Sequence, residues 1–505
     1  MSKTEEKYRR LLEILGEVDD LDNILTLLHW DEQTKMPKGG ARARADHKTT
    51  LHRLIHGKFA APEVGELLAA LEDYEAGLPY DSDDAAILRT ARRSYEQVVK
   101  IPEDLVVRKS RAASEAFRAW VAAREARDFS LFEGSLKEIY ALQRETAEAL
   151  GYDGHPIDAL LQMSEPGMTV AQVDRVFAQL REGLVPLVAA IAEKLDAVDD
   201  SVLRQKFARD QQWAISEEAV RAIGFDLDRN GRLDLSIHPF ATNFSPEDVR
   251  ITTRMDENFL SMCFFACLHE AGHGLYMQGI PTRYRRTPLI SDLSSAVHES
   301  QSRMWENLVG RSRAFWQFFY PRMQAMFPAQ LAAVDVETFY RACNRSHPSL
   351  IRVEADEVTY NLHIMIRYEL EKDVFDGRLQ ISDLPEAWQA KFQDYLGIQP
   401  ANDLEGILQD IHWSGRFGAS FVSYALGNVI SGQLWQAAQA DVPDLAAQFG
   451  QGSFSPLLEW TRKHVHGHGA KYTPEELVER ATGKSLSVEP YLNYIQGKFT
   501  ELYDL

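Results

Sequence analysis

Apolar residues recur at three- and four-residue spacing along most of the chain, and this predicts amphipathic helices. The clearest runs are YRRLLEILGEVDDLDNILTLLHW from Tyr8, SLFEGSLKEIYALQRETAEALG from Ser130 and VTYNLHIMIRYELEKDVF from Val358. Helix starts carry Ser, Thr or Asp followed by acids. Thr473-Pro474-Glu475-Glu476 joins an N-cap, a proline at the first helical position and acids at the positive end of the dipole. Strand-like alternation is scarce. The best stretch spans residues 240–253, where FATNF and DVRITT flank the turn-like Ser245-Pro246-Glu247. The most apolar run, FLSMCFFACL at 259–268, has half the length that a bilayer crossing needs and predicts a buried core helix. Breaks at 151–156 and 166–169 read as loops between helices, and no Pro/Gly/Ser linker divides the chain. The expectation is a mainly α fold, one unit over residues 1–505, with room for two helical lobes.

Composition narrows the function classes. With 45% hydrophobic and 26% charged residues, the 505-residue chain is globular rather than disordered. Lys+Arg 55 against Asp+Glu 75 gives a net charge of -20, a field that repels polyphosphate. Nucleic acid and membrane are therefore not expected as partners. The start, MSKTEEKYRRLLEIL, lacks the apolar core and cleavage site of a signal peptide. Three cysteines, Cys263, Cys267 and Cys343, cannot make a disulfide framework and fit a reducing compartment. A cytoplasmic location is the expectation.

The sharpest chemical signal is His269-Glu270-Ala271-Gly272-His273. Positions i and i+4 share a helix face, so both imidazoles can reach one ion, and Glu270 lies beside it as a candidate general base. The five-letter pattern also occurs in helices that bind nothing. Here it lies in an apolar helix, where two histidines and a glutamate need partners. Asp256 is the expected cap of that helix, and Gly279 with Pro281 its end. A catalytic zinc takes three protein ligands and keeps one open position. The class with a third histidine six residues on would need Gly at 276 and His at 279, where Tyr276 and Gly279 stand. Downstream, Ser295-Ala-Val-His298-Glu299-Ser-Gln301-Ser-Arg303 offers Glu299, with His298 as the competing ligand. A carboxylate from a following helix is the commoner partner of this motif, which favours Glu299.

HEAGH followed by HESQSR resembles the carboxypeptidase Taq family of metallocarboxypeptidases. Further motifs of that family stand in order: His238-Pro239-Phe240, Asp248-Val-Arg250-Ile-Thr252, Ile351-Arg352-Val-Glu-Ala355 and Gly406-Ile-Leu-Gln409-Asp410-Ile-His412-Trp413. LLHWDEQTKMPKGGARARADH near the start and YTPEELVERATGKSL near the end extend the likeness over nearly the whole chain. The resemblance implies a helical fold similar to neurolysin and angiotensin-converting enzyme, with a deep groove and the metal at its bottom. It implies a homodimer that uses zinc or cobalt to remove single C-terminal residues from peptides with broad tolerance.

Chemistry assigns the remaining candidates. A free α-carboxylate is bound well by arginine, and Arg250 and Arg352 lie in motifs away from the metal helices. Each also has acids nearby, Asp248 for Arg250 and Glu354 and Asp356 for Arg352, so a structural ion pair is the competing reading. An oxyanion beside the metal needs a donor, for which His412 and Tyr424 are candidates. Tyr424 fits a core tyrosine as well. His238 could line the pocket or brace its loop. The expected activity is hydrolysis of the C-terminal peptide bond. An endo-oligopeptidase or a dipeptidyl carboxypeptidase is the alternative, and a non-catalytic helical binding protein a remote one.

Three other features read as structural. Asp226-Leu-Asp228-Arg-Asn230-Gly231-Arg-Leu-Asp234 resembles a calcium loop through its ninth position, but the twelfth is Ile237, so a turn leading into an HPF strand is expected. His464-Val-His466-Gly-His468 reads as a loop histidine cluster beside Arg462, Lys463 and Lys471. Cys263 and Cys267 read as small core residues.

Overall fold

The computed structural model describes residues 2–419 and 421–505. Helices dominate, and the expected ones form: Lys3–Thr34, Ser130–Leu150 and Tyr360–Phe375. The first begins with a capping box in which Ser2 and Glu5 satisfy each other's backbone N–H groups. Thr473 and Glu476 do the same for Pro474–Thr482. Cα packing divides the chain into two compact units, each built from three stretches. One holds Met1–Val99, Asp200–Cys343 and Leu434–Lys484, and the other Lys100–Asp199, Asn344–Gln433 and Ser485–Leu505. Among the described residues no helix is long and apolar enough to cross a membrane.

The first unit contains the one sheet found among the described residues. Its strands are β1 (Gly231–Leu235), β2 (Ala241–Ser245) and β3 (Asp248–Thr253), in the order β1-β3-β2. β1 runs parallel to β3 and β2 antiparallel to it. Two expectations are corrected here. The segment after Asn230 is itself a strand, whereas His238-Pro239-Phe240 is an irregular link between β1 and β2. Proline lacks the N–H that a ladder needs, and Thr252 Oγ1 instead accepts from the Phe240 N–H at 2.9 Å. The turn before β1 is as expected: Asp226 Oδ1 accepts from the backbone N–H groups of Asp228 and Arg229, which closes an Asx turn.

The helix Leu260–Gly279 carries HEAGH and is buried almost all round. It packs against the helix Arg209–Ala222, against β2 and β3, and against the helix Ser295–Arg303. Phe264 and Phe265 anchor it in an aromatic cluster with Phe315, Trp316 and Phe319. Its start differs from expectation. Phe259 occupies the cap position, and Asp256 turns its carboxylate to the Asn258 N–H instead. The end at Gly279 agrees. Cys263 and Cys267 are fully buried in this core, as expected, and Cys263 Sγ lies 3.5 Å from Ser216 Oγ.

Candidate metal centre

His269 and His273 project from one face of the Leu260–Gly279 helix, and Glu299 comes from the Ser295–Arg303 helix, whose start Ser294 caps. The two helices touch backbone to backbone at Gly272, between the two histidines. A Cβ there would lie 2.6 Å from Ser302 Cα and 2.7 Å from the Gln301 carbonyl. Only glycine permits that approach, and the approach brings Glu299 within reach of both rings. Glu299 Oε2 is 3.3 Å from His273 Nε2 and 3.7 Å from His269 Nε2. Ligands about 2.1 Å from a tetrahedral ion stand roughly 3.4 Å apart, so these atoms fit one ion. They form the one such group among the described residues.

The outer nitrogens are held as a metal site requires. His269 Nδ1 pairs with Glu306 Oε2 at 2.8 Å, so its Nδ1–H is donated and Nε2 is free to face inward. His273 Nδ1 lies 2.6 Å from His298 Nδ1, and His298 Nε2 lies 3.3 Å from Met277 Sδ. One assignment satisfies the chain: His273 donates to His298, and His298 donates to the thioether. His298 is therefore a partner of a candidate ligand and not a ligand. Burial, with His273 opposite, pushes the His298 pKa down and keeps that ring neutral.

Charge is arranged around the histidines. Burial opposes ionisation of Glu299, but Arg303 and the histidines overcome it and hold its carboxyl well below the usual range. Arg303 and His269 likewise hold Glu306 down to about 2. Burial works against charge on His269, yet Glu299 and Glu306 lift it to about 9. Glu270 shares the site and is buried there. Burial pushes its carboxyl up, against the pull of His269 and His273.

The remaining candidates fall into two places. Arg250 and His238 belong to the first unit. Arg250 forms a two-pronged ion pair with Asp248, both contacts 2.9 Å, and stacks on Trp30 and Phe244 at 4.4 and 4.7 Å. His238 is exposed, its Nδ1 on the Pro239 carbonyl at 2.7 Å. Arg352, His412 and Tyr424 belong to the second unit and lie together there. Arg352 is paired with Asp410 at 2.9 and 3.0 Å, and not with Glu354 or Asp356 as the sequence suggested. Asp356 instead accepts from Ser346, His347, Val358 and Thr359. The Arg352 guanidinium also reaches the Tyr360 hydroxyl at 3.3 Å and lies over the rings of Phe421 and Tyr424 at 4.5 and 6.0 Å. The His412 ring packs on Phe421, and burial pushes its pKa down to about 4.

Sequence reasoning missed Glu306, the role of His298, Asp410 as the partner of Arg352, and the buried Arg367, whose Nη2 is 3.4 Å from Asp410. Asp410 stood in a recognised motif, and its acidic side chain was the available signal. The 464–468 histidines are also corrected. His464 stacks on Trp460 and His468 on Tyr472, while His466 is fully buried with Nε2 on Gln301 Oε1 at 3.0 Å.

Comparison with known proteins agrees with this geometry. The family profile "Carboxypeptidase Taq (M32) metallopeptidase" matches residues 10–499. The chain is 42% identical to thermostable carboxypeptidase 1 of Thermus thermophilus, with 99% of each covered. It is 38% identical to carboxypeptidase 1 of Bacillus subtilis, with 98% of each covered. The crystal structure of the M32 carboxypeptidase from Deinococcus radiodurans superposes with a TM-score of 0.95 at 41% identity, covering 99% of this chain and all of that one. Profile, relatives and fold agree over the length of the chain, which belongs to the carboxypeptidase Taq (M32) family of metallopeptidases.

Proposed function

We propose that this metallocarboxypeptidase removes single C-terminal residues from peptides, with Glu270 as general base and His269, His273 and Glu299 as metal ligands. The observation that carries the reading is the convergence of those three ligand atoms, within 4.8 Å of one another, beside the buried Glu270. The proposed ion is zinc, with cobalt the alternative that the same nitrogen and oxygen donors accept. Such an ion supplies Lewis acidity toward water and toward the peptide carbonyl. Glu270 takes a proton from the attacking water and returns it to the nitrogen of the departing residue. Burial raises its pKa, the direction that makes it a stronger proton acceptor. The Tyr424 hydroxyl and His412 are the proposed donors to the developing oxyanion.

Arg352 and Arg250 are the proposed receptors of the terminal carboxylate. Nη1 and Nη2 of Arg352 each keep a second N–H beyond those given to Tyr360 and Asp410. His238 is proposed as a pocket-lining residue. We further propose a homodimer acting in the cytoplasm. The family resemblance supports the dimer, and three buried, free cysteines support a reducing location.

The test joins metal analysis to one pair of peptides. The protein is assayed for bound metal and given a peptide with a free C-terminus and its amidated twin. Stoichiometric metal and release of single residues from the free acid alone are expected. Equal cleavage of both would discard the carboxylate receptor and favour an endopeptidase. Glu270→Gln should keep its metal and lose turnover by at least about 100-fold. Full activity in that variant would remove Glu270 from the mechanism.

A further inference from the structure

Directly after the Ser295–Arg303 helix the chain makes a π-helical turn, Met304–Val309, closed by the Gly310 N–H on the Trp305 carbonyl at 3.0 Å. Such wide turns interrupt the usual ladder and re-aim side chains. This one delivers Glu306 to His269. Between the two carboxylates lies Arg303, largely buried at 13% exposure. Its Nε meets Glu299 Oε1 at 2.7 Å, and its Nη1 meets Glu306 Oε2 at 3.2 Å. Glu299 thus has one oxygen occupied by an arginine and the other, Oε2, turned to the two Nε2 atoms. Ser302 Oγ also donates to that Oε2 at 3.2 Å, and Arg311 Nη2 approaches Glu306 Oε1 at 3.5 Å.

We propose that Arg303 is a positioning residue for the metal centre: it occupies Glu299 Oε1, so that Glu299 offers one oxygen, and ties Glu299 to Glu306 and so to the His269 ring. The inference rests on Glu299 being a ligand, as proposed above. The geometry asks for an arginine in particular. A guanidinium directs Nε–H and Nη1–H along two fixed lines, one to each carboxylate. A lysine ammonium carries the same charge as a point and cannot hold both in that geometry. Without the bridge, Oε1 is free to turn inward, which would raise the number of protein donors from three to four and close the open position. Glu306 would also lose one of its two arginines and hold His269 less firmly.

The test uses the full-length protein with Arg303→Lys and Arg303→Met, and Glu299→Gln as control. Metal dissociation constants are read by competition with a chelator. The visible absorption of the cobalt(II)-loaded forms reports donor number, because added donors weaken the ligand-field bands. Both Arg303 variants should bind metal about 10- to 100-fold more weakly and show weaker cobalt bands than the parent. If Arg303→Met does not fold, Arg303→Lys decides, since it keeps the charge. Wild-type affinity and an unchanged cobalt spectrum in Arg303→Lys would overturn the proposal, because charge alone would then suffice. Unaltered metal affinity in Glu299→Gln would instead overturn the ligand assignment beneath it.

Discussion

Two buried clusters, one in each unit, use the same ion pair with its roles reversed. Around the HEAGH helix, an arginine aims a carboxylate: Arg303 takes one oxygen of Glu299 and leaves the other facing the histidines. Around Asp410, a carboxylate aims an arginine. Both oxygens of Asp410 hold Arg352, and Arg367 sits 3.4 Å from the same group. The first cluster gathers Glu270, Glu299 and Glu306 with Arg303, Arg311 and the two histidines. The second sets two guanidiniums, Arg352 and Arg367, against two carboxylates, Asp410 and Glu371, and Glu371 also accepts from the Trp413 indole N–H at 2.6 Å. Buried charges persist only when paired, and each cluster meets that condition with its own partners.

The largest effect should come from removing the reversed pairing. Asp410→Asn leaves Arg352 and Arg367 buried without their anion and should cost about 3 kcal/mol of stability, read by denaturant unfolding. Arg367 and Arg352 outweigh burial and hold the Asp410 carboxyl well below its usual range. Its contribution is therefore fully present above the unfolded value of about 3.9 and fades as pH falls below it. The gap between variant and parent should narrow accordingly in acid, and a constant gap would count against the ion pair as its source.

Glu270→Gln should behave with the opposite sign. Burial raises the Glu270 carboxyl, so the folded metal-free protein holds that proton more tightly than the unfolded chain does. The favourable contribution is present below the unfolded pKa and is lost as pH rises through the folded one. In chelator, the glutamine variant should thus match the parent at low pH and exceed it at pH 8, measured by thermal unfolding. Lower stability than the parent at pH 8 would refute the burial argument.

Gly272→Ala tests how the first cluster is assembled. Its Cβ would press on Ser302 Cα and force the two ligand helices apart, which should cost about 1–3 kcal/mol and weaken metal binding together. Loss of stability with unchanged metal affinity would show that Glu299 tolerates the shift. The smallest effect is expected beside the second cluster. Ala419 adopts φ 61°, in the left-handed region that glycine occupies without penalty. Ala419→Gly should therefore cost little, or add up to about 1 kcal/mol, where an alanine-to-glycine change elsewhere destabilises. A loss above that scale would place the constraint on the alanine methyl and not on the backbone.

Much of the first cluster was legible because it is local. Residues four apart on a helix share a face whatever surrounds them, so His269 and His273 could be paired from spacing. The helix that presents them could be recognised as buried from its apolar run, and Glu299 from the ligand that such a helix lacks. Caps such as Thr473 with Glu476 follow from chain chemistry within one turn. The ion pair of Arg250 with Asp248 was readable for the same reason, since alternate residues of a strand share a side.

What the sequence determined by itself was the helical architecture, the metal-ligand triad as a candidate and the family motifs. Only the tertiary structure decided who holds whom. Asp410 reaches Arg352 from 58 residues away, His466 reaches Gln301 from 165, and His298 turns to His273 in place of the ion. Glu306 follows Glu299 by seven residues and so shares its side of the chain, but only packing shows that this side meets the His269 ring. Such partners are chosen by the cost of leaving a buried charge or ring nitrogen unpaired, and that cost arises only once packing has removed the water.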